Sequence, residues 1–435
     1  MRTQRTRWVA LVAVIALVAV ACGDGDTTDE PTEPTPGGED TEEPADDDAD
    51  GDAAAPVATE GELVIWADEA RVNVLGPFAE EFSATYGVEV VVQELEFGDI
   101  RDRVAVAGPA GEGPDIFIGA HDWLGQLVAS GVVAPLDLVA VEDDLLDVAV
   151  EAFTFEGVTY GLPYAVESIA LVRNTALVPE APTTFEELEE IALALEDDGT
   201  VSVPLALQWA DPYHAYPLFT GAGGYVFGRD AEGYDADDLG LDSDGGLEAA
   251  QRFAAWLDSG LLDPDITYDV MIESFGTGDA PFAITGPWAI AQAENGFEAM
   301  GIEFVVEPIP PIDGQTPRPF VGVQGFMVSA FAADPVLAQT FVLEVMATED
   351  AQVALFEAGG RAPALASAFE LASADPVIAG FGASGADGDP MPAIPAMSSV
   401  WEAWTSAYTL IGQGEDPVRS FEDAANQIRN LIDGV

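Results

Sequence analysis

The sequence predicts an α/β fold, an open sheet flanked by helices, in a body long enough for two domains. Two observations carry this reading. Short β-branched runs alternate with amphipathic segments along the body, the rhythm of an open sheet that takes ligands at its strand ends. The body, residues 61–435, spans about 375 residues, more than one compact core accommodates. Ahead of it stand a leader and a spacer of different composition.

The leader opens with Arg2, Arg5 and Arg7 and continues as an apolar run from Trp8 to Ala21. The run is too short to span a bilayer comfortably and ends in small residues, the form of a secretory signal over residues 1–22. Cys22, the only cysteine in the chain, closes the stretch Val18-Ala19-Val20-Ala21-Cys22. That stretch resembles a bacterial lipobox, with Ala19 where leucine is usual, and implies lipid attachment at Cys22. An ordinary cleaved signal is the alternative. A lone cysteine leaves no intramolecular disulfide to form, despite an oxidising export route. Residues 23–60 hold fifteen acidic residues, no basic ones, and repeated Pro, Thr, Gly and Ala. Such a segment cannot bury enough apolar surface to offset chain entropy, so it reads as a disordered, self-repelling tether.

Within the body, Glu62-Leu63-Val64-Ile65-Trp66 reads as a buried strand. Phe78 and Phe82 lie four apart with acids opposite, predicting a helix over Gly76 to Tyr86. Val88 to Leu95 is a second strand, and Gly113-Pro114-Asp115-Ile116-Phe117-Ile118 is a turn into a third. Thr184 with Glu187 three residues later marks a capped helix start. Ala280 to Thr285 reads as a buried strand, and Pro335 to Met346 and Pro417 to Ile432 as amphipathic helices. No internal repeat is present.

The charge balance restricts partners. The chain carries 79 acidic residues against 13 basic ones, every one of these arginine, for a net charge of −66. Setting aside the fifteen spacer acids and three leader arginines leaves 64 against 10 for the body. Nucleic acid and anionic lipid would be repelled by such a surface. It suits a protein that folds in high salt, where screening shortens the repulsion. No loop has the Asp spacing of a calcium site. His121 and His214, the only histidines, lack a paired metal-ligand spacing, so His121 reads as a structural hydrogen-bonding residue. Gly221-Ala222-Gly223-Gly224 lacks the lysine and hydroxyl residue of a phosphate loop. No cofactor is expected.

Nine phrases in order then resemble one family over Gly61 to Leu431. They are Gly61 to Trp66; Gly113-Pro114-Asp115-Ile116; Ala120-His121-Asp122; Pro163-Tyr164-Ala165-Val166-Glu167; Gly223-Gly224-Tyr225; Ile284 to Trp288; Pro319 to Val323; Met391 to Met397; and Trp401. The chain resembles extracellular solute-binding proteins of the maltose-binding type. The resemblance implies a two-lobe periplasmic-binding-protein fold with crossing segments near Val166, Val321 and Ala372. Lobe 1 would hold residues 61–166 and 322–372, and lobe 2 residues 167–321 and 373–435. It further implies a non-enzymatic binding component of an ABC importer, anchored on the outer face of the cell membrane, or in the periplasm if an outer membrane exists. The ligand would be maltose or a maltooligosaccharide, the partners membrane permease subunits, and the protein a monomer.

A sugar offers paired hydroxyls and apolar C–H faces, so its site needs planar acceptors and aromatic rings. Matched onto the family's pattern, the carboxylates are Asp68 or Glu69, Asp122, Glu167 and Asp211. The stacking rings are Tyr213, Trp288 and Trp401. Asp122 and Glu167 sit in apolar stretches, where an unpaired carboxylate is costly, and so face a polar cleft. Departures are informative. Gly119 stands where tryptophan is frequent, Trp123 where the maltose-binding protein has arginine, and Thr405 where an arginine follows Trp401. Arg71 takes the place of the usual lysine near Asp68. Trp123, Trp404 and Trp209 add aromatic surface in exchange for cationic donors, which shifts the expectation from maltose itself toward a related oligosaccharide with more apolar face, an α-linked glucose oligomer. A binding protein for another oligosaccharide or another solute, or a secreted glycoside hydrolase with two carboxylates at a set separation, is the alternative.

Overall fold

A computed structural model describes residues 61–230, 233–291 and 296–434. The secretory leader, Cys22 and the acidic spacer lie outside the described residues. The architecture is a two-lobed α/β fold, each lobe built on its own sheet. The larger sheet has Ala362–Pro363, Gly161–Ser168, Phe320–Val328, Ile116–Ala120, Glu62–Ala67 and Glu89–Glu94 in that spatial order, with Asp389–Pro390 alongside Phe320–Val328. Glu62–Ala67 pairs in parallel with both its neighbours, whereas Phe320–Val328 runs antiparallel to Gly161–Ser168 and Ile116–Ala120. The smaller sheet places Ala170–Asn174 between Phe282–Thr285 and Phe304–Glu307, antiparallel to both.

The first strand is buried along Leu63 to Ala67, as its continuous apolar run demands when helices cover both faces of a sheet. The helix after it begins earlier than its pattern of phenylalanines predicts, at Glu69 instead of Gly76. Asp68 decides this by capping: its side chain accepts from the Arg71 backbone N–H at 3.3 Å. The buried stripe is then Arg71, Leu75, Ala79 and Phe82, the spacing of one helix face. The predicted cap at Thr184 is present, its hydroxyl accepting from the Glu187 N–H at 3.2 Å. The Glu187 carboxylate accepts from the Thr183 N–H at 2.7 Å, one residue before the cap. The predicted helix from Pro335 is α-helical to Thr340 and continues as a π-helix through Met346. Pro417–Ile432 is helical throughout and buries Phe421, Ala424, Ala425 and Ile428.

The chain leaves the large sheet for the small one between Ser168 and Ala170. The helix Pro376–Gly385 then lies on the small sheet, so close that a Cβ at Gly380 would meet the Val306 carbonyl. Two hydroxyls tie this helix to the first crossing. Ser168 Oγ donates to the Phe381 carbonyl at 3.0 Å, and Ser384 Oγ donates to the Ile169 carbonyl at 2.7 Å. Behind Asp389–Pro390 the chain returns across the large sheet's lobe, where Gly125 admits the backbone of Ile394 and Pro395 against its Cα. Among the described residues no helix is long and apolar enough to cross a membrane.

Candidate ligand-binding cleft

Strand ends converge on a cleft of about 650 Å³. Asp68 to Arg71 follow the first strand, Asp122 and Trp123 follow the third, and Trp288 follows Phe282–Thr285. Glu167 and Gln324 stand on the crossing strands themselves, while Asp211, Tyr213 and His214 open the helix Pro212–Gly221. Arg361 precedes the short strand Ala362–Pro363, and Trp401 starts the helix Trp401–Gly412. Side chains far apart in sequence thus meet where an open sheet presents its ligands.

Every predicted site residue except Trp404 lines this cleft: Asp68, Glu69, Arg71, Asp122, Trp123, Glu167, Asp211, Tyr213, Trp288 and Trp401. Trp404 is a correction. It is fully buried in the core, edge-on to Phe219 at 4.8 Å and beside Tyr408. The stripe Ala403, Trp404, Ala407, Tyr408 and Ile411 is the inward face of its helix, whereas Trp401, one turn earlier on a neighbouring position, stands at the helix start and is only partly buried. Trp209 is likewise core, 1% exposed and edge-on to Tyr408 at 5.5 Å, so it adds no aromatic surface to the cleft. Gly119 and Trp123 explain each other. The Trp123 ring folds over Gly119, and a Cβ there would run into it.

A chain of polar contacts crosses the floor. Arg71 is ion-paired with Asp68, donates through Nε to the Tyr164 hydroxyl at 2.7 Å, and donates to Gln324 Oε1. The other end of that amide, Gln324 Nε2, donates to Glu167 Oε1 at 3.0 Å. Glu167 is ion-paired in turn with Arg361, whose guanidinium lies over the Trp288 ring, 5.0 Å from its centroid. Burial is the largest influence on Arg361 and opposes its charge, but Glu167, Tyr164 and Tyr213 together hold the guanidinium above its ordinary pKa. Both cations of the floor are therefore neutralised within the protein, and the carboxylates are held for hydrogen bonding.

Asp122 differs. It is 5% exposed, and burial pushes its carboxyl up to about 7, against the pull of Arg101 and the Trp401 indole. Asp68 and Asp211, both predicted as ligand carboxylates, are also helix caps. Asp211 Oδ1 accepts from the Tyr213 N–H at 2.9 Å, and Oδ2 from His214 Nδ1 at 2.7 Å. His121, by contrast, is a structural residue: Nδ1 accepts from the Val323 N–H at 3.0 Å and Nε2 donates to the Met391 carbonyl at 2.9 Å.

Arg361, Gln324, His214 and Tyr268 line the cleft without having been singled out from the sequence. Scarcity was the available signal for Arg361, one of ten arginines in an acidic body. Gln324 carries no such mark, because a lone amide in an apolar strand has no distinctive spacing.

Two α/β lobes with ring faces, internally neutralised cations and buried carboxylates between them define a solute-binding protein. The chain belongs to the bacterial extracellular solute-binding protein family, whose model matches residues 78–379. It is 34% identical to the maltotriose-binding protein of Pyrococcus abyssi, over 78% of this chain and 75% of that one. It is 29% identical to the galactooligosaccharide-binding protein of Bacillus subtilis, over 85% and 89%. In three dimensions it is similar to the Thermus thermophilus maltotriose-binding protein bound with maltotriose. The TM-score is 0.77 at 31% identity, covering 85% of this chain and 100% of that one.

Proposed function

We propose that the protein is the solute-capturing component of an ABC importer and holds maltose or a maltooligosaccharide in the cleft. The observation that carries this is the pairing of ring faces with acceptors in one groove. Tyr213, Trp288 and Trp401 offer apolar faces beside Asp122 and Glu167, which matches the two surfaces of a sugar. The relatives that bind maltotriose support the α-glucan reading. The galactooligosaccharide-binding relative and the loss of cationic donors support a second one, another neutral oligosaccharide. The lobes 61–166 with 322–372 and 167–321 with 373–435 close on the ligand about the crossing strands, and permease subunits read the closed form. The protein acts as a monomer tethered through lipidated Cys22 and the acidic spacer to the outer face of the membrane, and it binds without turnover.

Titration calorimetry against maltose, maltotriose, maltotetraose and a galactooligosaccharide is the direct test. Binding to an α-glucan without sugar release over hours is expected; steady hydrolysis would make the protein a glycosidase. Trp288→Ala and Trp401→Ala are each expected to weaken binding by about 1–3 kcal/mol, through loss of a ring contact and its buried area. Unchanged affinity in both variants removes the stacking assignment. The acidic surface carries a separate expectation, adaptation to high salt. Melting temperature should fall between molar and millimolar salt as repulsion loses its screening, and a flat response counts against such adaptation.

A further inference from the structure

We propose that His214 is a specificity-determining contact for one ligand hydroxyl, and that Asp211 is the positioning residue that sets its tautomer. This rests on the reading of the cleft as a sugar site. The two histidines of the chain are used in opposite ways. His121 has both ring nitrogens engaged with backbone. His214 is equally buried, at 6% exposed, yet only Nδ1 has a partner, Asp211 Oδ2. Its Nε2 has none among the described residues, and the residue lines the cleft. A carboxylate can only accept, so Nδ1 carries the hydrogen, and in the neutral imidazole Nε2 is left a bare acceptor.

The surroundings continue the pattern. The His214 ring stands edge-on to Trp288 at 5.8 Å and lies 6.4 Å from the Tyr268 ring. The hydroxyls of Tyr268 and Tyr213, both cleft-lining residues, also lack partners among the described residues. Buried polar atoms left unpaired are costly, and three of them gathered on one wall of the cleft are where a guest can supply the missing hydrogen bonds. A hydroxyl both donates and accepts. It gives its hydrogen to His214 Nε2 and takes one from a tyrosine, which neither an ether oxygen nor a deoxy position can do. The same wall therefore discriminates by loss: an analogue without that hydroxyl leaves Nε2 orphaned again.

Two histidines in the whole chain make the test direct. In long-range proton–nitrogen spectra of the ¹⁵N-labelled full chain, His214 is expected as the Nδ1–H tautomer, with Nε2 shifting on saturation with maltotriose while His121 stays still. Asp211→Asn, whose amide donates to Nδ1, should move the hydrogen to Nε2 and weaken binding at least tenfold. His214→Phe should weaken it about as much. Calorimetry on the same samples separates the claims. Absence of binding to every sugar overturns the functional reading and this inference with it. Binding with an unmoved His214 Nε2 overturns the inference alone, and an Asp211→Asn chain with unchanged tautomer and affinity removes the positioning role.

Discussion

Arg361→Ala should destabilise the fold by about 3–5 kcal/mol, the cost of stranding one member of a buried ion pair. Glu167 is the stranded group. Its side chain is 8% exposed, and without the guanidinium it keeps only Gln324 Nε2 at 3.0 Å among its described partners. The same substitution removes the cation over Trp288. A compensated variant, Arg361→Met with Glu167→Gln, should recover most of the loss, because neither charge then remains to be solvated. Urea unfolding of the single and double variants measures both. A single variant within about 1 kcal/mol of the parent would mean that water reaches Glu167 as soon as Arg361 is gone.

Asp122→Asn should change stability in a pH-dependent direction. The folded-state pKa of Asp122 is raised to about 7, above the ordinary unfolded value near 4. Below about pH 4 both states hold the proton, and its charge contributes nothing. Between about 4 and 7 the unfolded chain ionises while the folded one keeps its proton, so the parent loses stability as pH rises. Above 7 the loss is complete, about 4 kcal/mol at most for a shift of this size. The asparagine variant has no such slope. Its stability relative to the parent should therefore increase by a few kcal/mol from pH 4 to pH 8, measured by denaturant unfolding at each pH. A constant difference would show that Asp122 titrates at its ordinary pKa, and that Arg101 and Trp401 offset its burial.

The residues most legible in the sequence were those whose chemistry conflicts with their neighbours. Asp122 and Glu167 stand in apolar stretches and lie in the cleft. Trp288 and Trp401 were placed by their phrases, Tyr213 by its match to the family's site pattern, and all three lie there as well. Strands with continuous apolar runs were equally plain, as Glu62–Ala67 and Ile116–Ala120 bear out. Trp404 was misread because a tryptophan near a helix start looks the same whether it faces a ligand or a core. Its neighbours Tyr408 and Phe219 come from other turns and another helix.

Hydrophobic periodicity, the acidic surface and the order of nine short phrases were properties of the chain by itself, and they determined an α/β body built to hold a neutral solute. Which polar groups face one another was decided only by tertiary structure. Arg361 meets Glu167 across 194 positions, and Arg71 meets Gln324 across 253. Asp211 was visible as a carboxylate, but its engagement with the Tyr213 N–H and His214 Nδ1 depends on a helix cap. Local pattern reports what a residue must avoid, water or apolar surroundings. A hydrogen bond is short and directional, so its partner exists only once the chain has brought distant segments to within about 3 Å.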